Sequence, residues 1–308
     1  MSIDYGKLFA PHQPATHRPP DFAWPDGKRL AFWLAPNIEY YEVDPKPNAT
    51  RAPWPRPFPD MQNWSWRDYG NRVGVWRCLE LFDKHGMSGS VSLNSAMCQH
   101  LPQVVQPFVD RGWELFCHGQ YNTRYVFGET PDQEREHLQA ACNEIAAFSG
   151  AKVRGLLSPA LTYNVSTLEG AVACGLDYVF DLGAADSVLP LAVGDSRLLS
   201  IPYSSELNDF FAVVVGGLSA HAYVERFKAQ FDQLLKDSEV QPKVVGLPLH
   251  PYLIGMPQYI WALDQILLHV KSCRDMVWIT QARAIADYYD QKLDASGAHA
   301  LSAPGVST

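Results

Sequence analysis

Three times in this chain an apolar run ends in a short polar cluster. Residues 30–36 lead into Asn37-Ile38-Glu39, 113–117 into His118-Gly119-Gln120-Tyr121-Asn122, and 244–249 into His250-Pro251-Tyr252. Near-continuous apolar runs are the pattern of parallel strands covered on both faces. The polar clusters then emerge at the carboxyl ends of strands, the edge where α/β folds build their sites.

Between such runs the period changes to that of helices. Residues 71–85 place Val73, Trp76, Leu79 and Phe82 on one stripe and stop at Gly86. Helices are also predicted over 104–111, closed by Gly112, over 132–148, opened by Thr130-Pro131 and closed by Gly150, and over 166–174, stopped by Gly175. Further helices fall at 222–235, with Tyr223, Phe227, Phe231 and Leu234 on one face, at 259–270 and at 281–290. The remaining strand candidates are 90–93, 153–157, 178–182, 198–203 and 276–279. Seven or eight strands mostly separated by helices predict one α/β domain. A parallel barrel, not fully closed, fits best, with an open doubly wound sheet as the alternative. No Gly-x-Gly-x-x-Gly follows the first strand and no phosphate-loop motif occurs, which disfavours nucleotide-binding versions of such a sheet.

The expected domain plan is an N-terminal arm at 1–28, a barrel at 29–293 and a flexible tail at 294–308. Residues 44–60 carry six prolines (Pro45, Pro47, Pro53, Pro55, Pro57 and Pro59), which excludes a helix there. So long a loop reads either as a functional or oligomer-forming segment or as an extended surface cover.

With 308 residues, 47% of them hydrophobic, the chain can bury one large core or two small ones. A net charge of −8 argues against binding a nucleic-acid backbone or an anionic membrane. Six dispersed cysteines (78, 98, 117, 142, 174 and 273) form no Cys-x-x-Cys pair and read as reduced thiols. Residues 1–20 have no apolar signal core, and no stretch is long enough to span a bilayer. A soluble, cytoplasmic protein is expected.

The polar clusters hold the candidate chemistry. Glu39 is a metal ligand, a general base or a ligand clamp, against the plainer reading of a solvated loop acid; Asn37 points the same way along the strand. His118 shares its cluster with Asn122, a weak ligand, and is otherwise a histidine tied to a backbone carbonyl. Pro251 holds His250 extended and aims it out of the strand end. Tyr203 opens a segment offering Glu206 and Asp209, and Arg67 or Arg72 can grip a substrate carboxylate with two hydrogen bonds. For both segments capping and loop scaffolding is the alternative. No Gly-x-Ser-x-Gly elbow occurs, and Cys117, last in its strand, packs in the core.

Taken together, Asn37-Ile38-Glu39, residues 67–74 (Arg-Asp-Tyr-Gly-Asn-Arg-Val-Gly), His118-Gly119 with Asn122, Leu157-Ser158-Pro159, Pro202-Tyr203-Ser204 with residues 206–209, and Leu249-His250-Pro251 resemble the polysaccharide deacetylase superfamily. The closer resemblance is to its branch of metal-independent allantoinases and cyclic imide hydrolases. The resemblance implies a distorted (β/α)7 barrel. It places Asn37 where metal-dependent members keep a base, Glu39, His118 and Asn122 at the three ligand positions, and His250 at the general acid. This chain departs from the pattern: Asn37 cannot take a proton, Asn122 replaces a histidine, residues 156–160 read Leu-Leu-Ser-Pro-Ala instead of Trp-Leu-Gly-Pro-Gly, and Ala185 begins the segment where relatives carry Asp-Asp-Gln-Pro.

The resulting expectation is a hydrolase of a carbon–nitrogen bond in a small, cyclic or open amide, imide or ureide. Glu39, His118 and His250 are its catalytic residues, and Asn37, Arg72, Asn122, Tyr203 and Glu206 bind substrate. A metal-dependent N-deacetylase with a weakly held divalent ion such as Zn²⁺ on Glu39, His118 and Asn122 is the second reading, and an inactive ligand-binding barrel the third. Expected partners are a small-molecule substrate and further copies of the chain, joined through the arm and the proline-rich loop.

Overall fold

The computed structural model describes residues 22–45, 58–164 and 166–295. Its axis is β1 (Leu30–Ile38), every residue of which is buried. The helices and strands that follow are α1 (Met61–Tyr69), α2 (Val75–His85), β2 (Ser90–Leu93), α3 (Ala96–His100), α4 (Pro102–Asp110), β3 (Glu114–Cys117), α5 (Pro131–Ser149), β4 (Gly155–Leu156), α6 (Thr167–Ala173), β5 (Tyr178–Val179), β6 (Leu189–Val193), β7 (Ser196–Ser200), α7 (Ala220–Asp237), β8 (Lys243–Leu249), α8 (Pro251–Ile254), α9 (Ile260–Ser272), β9 (Val277–Thr280) and α10 (Ala282–Ala295).

The sheet runs β6-β7-β5-β4-β3-β2-β1-β8, with β9 also beside β1. β1 pairs with β8 from Leu30 to Pro36, with β9 over Leu30–Trp33, and with β2 at Asn37 and Ile38. All pairs are parallel except the β6–β7 hairpin. Single backbone bonds tie the segments around β5–β7 to β8: Ser204 N donates to Gly246 O at 3.4 Å and Val244 N to Asp186 O at 2.9 Å. Gly246 is required there, because a Cβ would stand 2.5 Å from Pro202 O and 2.8 Å from the Trp33 ring. The molecule is a distorted (β/α)7 barrel, as expected. Its interior is filled by Trp33, Phe116 and Phe180, whose ring centroids lie 4.4–6.2 Å apart.

Several boundaries moved. The helix expected over 71–85 begins at Met61: α1 and α2 join through a wide π-turn at Gly70–Gly74. The two glycines of this turn are packing devices. A Cβ on Gly70 would stand 2.6 Å from Tyr252 N, and one on Gly74 1.9 Å from Pro251 O. The strand expected at 198–203 is the second half of the hairpin, Ser196–Ser200, and β6 was not anticipated. β4 and β5 shrink to two residues each. The described end of the arm docks on the barrel: Trp24 is buried, donates from Nε1 to Lys243 O at 3.1 Å, and packs on Trp278 and Tyr288. Residues 1–21, most of the proline-rich loop and the tail beyond 295 lie outside the described residues, and with them the expected subunit contacts. No described helix is long and apolar enough to cross a membrane.

Candidate active site

Three strand ends bring the expected cluster together. Glu39 follows β1 directly, His118 follows β3 and His250 follows β8. Glu39 Oε1 lies 3.3 Å from His118 Nε2 and 3.7 Å from His250 Nε2, and all three residues are buried. They line a cavity of about 240 Å³, walled by Tyr41, Arg67, Tyr125, Phe210, Phe211 and Tyr252 among others.

Each member is held from behind. Asn71 Nδ2 donates to Glu39 O at 3.1 Å, and the Tyr41 hydroxyl donates to Glu39 Oε2 at 2.6 Å. His118 Nδ1 lies 2.8 Å from Leu157 O. A carbonyl oxygen only accepts, so Nδ1 carries the hydrogen and Nε2 faces the acid. His250 Nδ1 lies 2.6 Å from Asp209 Oδ1, and Asp209 Oδ2 accepts from His250 N at 2.8 Å. Asp209 is fully buried and fixes both the ring and its tautomer.

The charges follow from this packing. Burial pushes Glu39 up, but His250, His118 and Tyr41 outweigh it and hold the carboxyl at about 2. Burial pushes His250 down, but Asp209 and Glu39 outweigh it and raise its pKa above the ordinary imidazole value. Near neutrality the site therefore offers an ionised acid whose Oε1 is turned to two imidazole nitrogens, one of them inclined to hold a proton.

The remaining expected residues divide. Asn37 is buried and lines the cavity, donating to Tyr203 OH at 3.0 Å and Leu249 O at 3.2 Å. Tyr203 and Asn122 line it too. Arg72 does not: its side chain is 70% exposed and paired with Asp68. Five residues in a helix turn the side chain by about 140°, so the guanidinium that reaches the cavity is that of Arg67, the other arginine of the motif. Glu206 is also turned to solvent, because Leu207 and Asp209 are the buried positions of that turn. Sequence reading missed Tyr41, and gave Tyr252 no role although it stands in the His250 cluster. Tyr41 lies two residues beyond Glu39, a spacing that signals a shared side only where the strand persists.

Comparison with known proteins bears on the fold and the family. The polysaccharide deacetylase family model matches residues 66–179. A Schizosaccharomyces pombe protein bearing the polysaccharide deacetylase name is 27% identical over 298 residues, covering 87% of this chain and 92% of its own length. The crystal structure of a probable polysaccharide deacetylase from Pseudomonas aeruginosa PAO1 superposes with a TM-score of 0.78 at 25% identity, covering 87% of this chain and 93% of that one. PuuE allantoinase shares the fold, with a TM-score of 0.81 at 24% identity over 96% of this chain and 99% of its own. Residues 66–179 thus carry a polysaccharide deacetylase domain, and the protein is a deacetylase-like hydrolase acting on carbon–nitrogen bonds.

Members of this family are often metal-dependent, so the ligand positions deserve a test of fit. Asn122 Oδ1, the only atom of that side chain able to bind a cation, accepts from Ala160 N at 3.2 Å. Its Nδ2 donates to the Tyr41 hydroxyl at 2.6 Å. Among the described residues no group of three or more His, Cys, Asp or Glu is arranged to hold an ion. The set Glu39, His118 and Asn122 does not fit a divalent metal as it stands.

Proposed function

We propose that the protein hydrolyses the carbon–nitrogen bond of a small amide, cyclic imide or ureide. The observation that carries this reading is the single carboxylate oxygen, Glu39 Oε1, turned to two imidazole nitrogens that line the same cavity. About 240 Å³ is below the roughly 300–1,000 Å³ of pockets for drug-sized ligands and suits a single small ring better than a polymer segment. Likeness of fold to PuuE allantoinase supports the same substrate class.

The roles follow from which atoms give and which accept. Glu39 Oε1 is the acceptor for a proton from attacking water, which it holds only transiently. Asp209 keeps His250 protonated, so His250 Nε2 delivers the proton to the leaving nitrogen. His118 Nε2, beside Glu39 Oε1, accepts a hydrogen bond from the same water and orients it. Asn37, Tyr203 and Asn122 shape the substrate's seat. The reading includes a cytoplasmic setting and a homo-oligomer.

The test is turnover by the purified protein of a panel of cyclic amides, imides, ureides (hydantoin and allantoin among them) and N-acetyl compounds. Ring opening of at least one cyclic compound is expected, with loss of that activity in Glu39→Gln and His250→Ala. Release of acetate alone points to an N-deacetylase. Full turnover in both variants removes the assigned roles.

A further inference from the structure

The failed fit at residue 122 has a positive counterpart in the residues beside it. The Tyr41 hydroxyl donates to Glu39 Oε2 at 2.6 Å and accepts from Asn122 Nδ2 at 2.6 Å and from Arg67 Nη1 at 2.7 Å. Its one hydrogen and both lone pairs are committed. Arg67 Nη1 also donates to the Tyr252 hydroxyl at 3.2 Å. The guanidinium is buried and lies 4.3, 5.3, 5.5 and 5.8 Å from the ring centroids of Tyr41, Tyr252, Trp66 and Phe210. Such a cage holds a cation by its ring faces. Burial pushes the guanidinium toward losing its proton, but Tyr41, Tyr252 and Glu39 more than reverse that, so the charge is permanent.

We propose that Arg67, acting through the Tyr41 hydroxyl, is the resident cation of this site, and that this hydroxyl fills the place between Glu39 and residue 122 where a divalent ion would be shared. A zinc ion sits about 2.0–2.2 Å from each oxygen or nitrogen ligand. A phenol oxygen 2.6 Å from both Glu39 Oε2 and Asn122 Nδ2 competes for that space, and a fixed guanidinium behind it repels a second cation. Among the described residues Arg67 reaches the acid through Tyr41, so it is a positioning residue.

The proposal rests on the hydrolase reading only for what the charge is used for, and its test needs no substrate. Zn²⁺ is titrated calorimetrically into wild type, Asn122→His and the double variant Tyr41→Phe/Asn122→His, with circular dichroism as the check on folding. Wild type is expected to take up no ion at this site, and Asn122→His alone none either. The double variant is expected to gain one Zn²⁺ per chain, lost again on adding His118→Ala. Stoichiometric binding to wild type that Glu39→Gln abolishes overturns the proposal; so does binding by Asn122→His as tight as by the double variant. A second arm adds Arg67→Met to Asn122→His: with the guanidinium gone, that pair is expected to bind Zn²⁺ more tightly than Asn122→His alone, whereas Arg67→Lys with Asn122→His is not. Equal binding by all three folded variants also overturns it. An empty substrate panel leaves each of these results standing, so the two readings fail separately.

Discussion

Two buried glutamates at opposite ends of the barrel separate chemistry from architecture. Glu39 stands at the carboxyl edge, facing His118, His250 and Tyr41 across the cavity. Glu114 stands at the amino end of β3, bonded to the Ser90 and Tyr178 hydroxyls and accepting from Arg283 N at 2.9 Å. Ser90 Oγ in turn accepts from Ala282 N at 2.8 Å, so this cluster caps the start of α10. Both carboxyls are desolvated. Burial prevails at Glu114 and raises its pKa, whereas neighbouring imidazoles reverse burial at Glu39 and hold it at about 2. Burial alone makes a reluctant acid; the partner's charge decides whether the group is a cap or a reagent.

The largest effect that can break this contrast is on turnover. Glu39→Gln is expected to lower kcat by roughly 10²–10⁴, the usual worth of a positioned acid–base group, while Glu114→Gln keeps most of it. Steady-state kinetics on the substrate found by the panel checks both. Next comes the partner of His250. Asp209→Asn removes the charge that raises the imidazole's pKa, so the alkaline limb of the kcat/KM profile is expected to move to lower pH. If the limb stays, His250 is not the acid.

Stability should sort the two acids in the other direction. Glu114→Gln is expected to cost about 1–3 kcal/mol, because a buried cluster of donors then meets an amide NH2 in place of one carboxylate oxygen, measured by denaturant unfolding. The pH dependence has opposite signs. A depressed carboxyl stabilises above its unfolded value of 4.5, and that contribution is lost as pH falls toward about 2. A raised carboxyl does the reverse, favouring the folded state below 4.5 and losing that as pH climbs through its folded value. Between pH 6 and 3, Glu39→Gln should therefore lose less stability than wild type and Glu114→Gln more. The smallest effect belongs to Arg72→Ala. Exposed and paired only with Asp68, it should change stability by no more than about 0.5 kcal/mol and leave kcat/KM within about twofold.

The contrast also shows what a sequence can carry. The three strand ends were legible because apolar runs stop abruptly at polar clusters, and the barrel follows from the alternation between them. Orientation within a loop was not legible. Arg67 and Arg72 look alike until the helix phase is known, and starting the helix at residue 71 instead of Met61 left Arg67 outside it. Glu206 and Asp209 differ only in which side of the turn Leu207 anchors. Glu114 went unread, although it is a charge inside an apolar run. Nothing in the sequence shows that Asn122 turns its oxygen to Ala160 N or that a tyrosine hydroxyl joins Glu39 to an arginine, because those are facts of packing between distant segments.

The most direct test of the central claim is the titration of the Glu39 carboxyl itself, followed by carbon NMR of glutamate-labelled protein against Glu39→Gln. A carboxylate shared by two imidazoles in one hollow should stay ionised down to about pH 3, and removing it should lower the pKa of His250. A Glu39 signal that titrates at 4.5 or above, with His250 indifferent to its loss, contradicts the site described above.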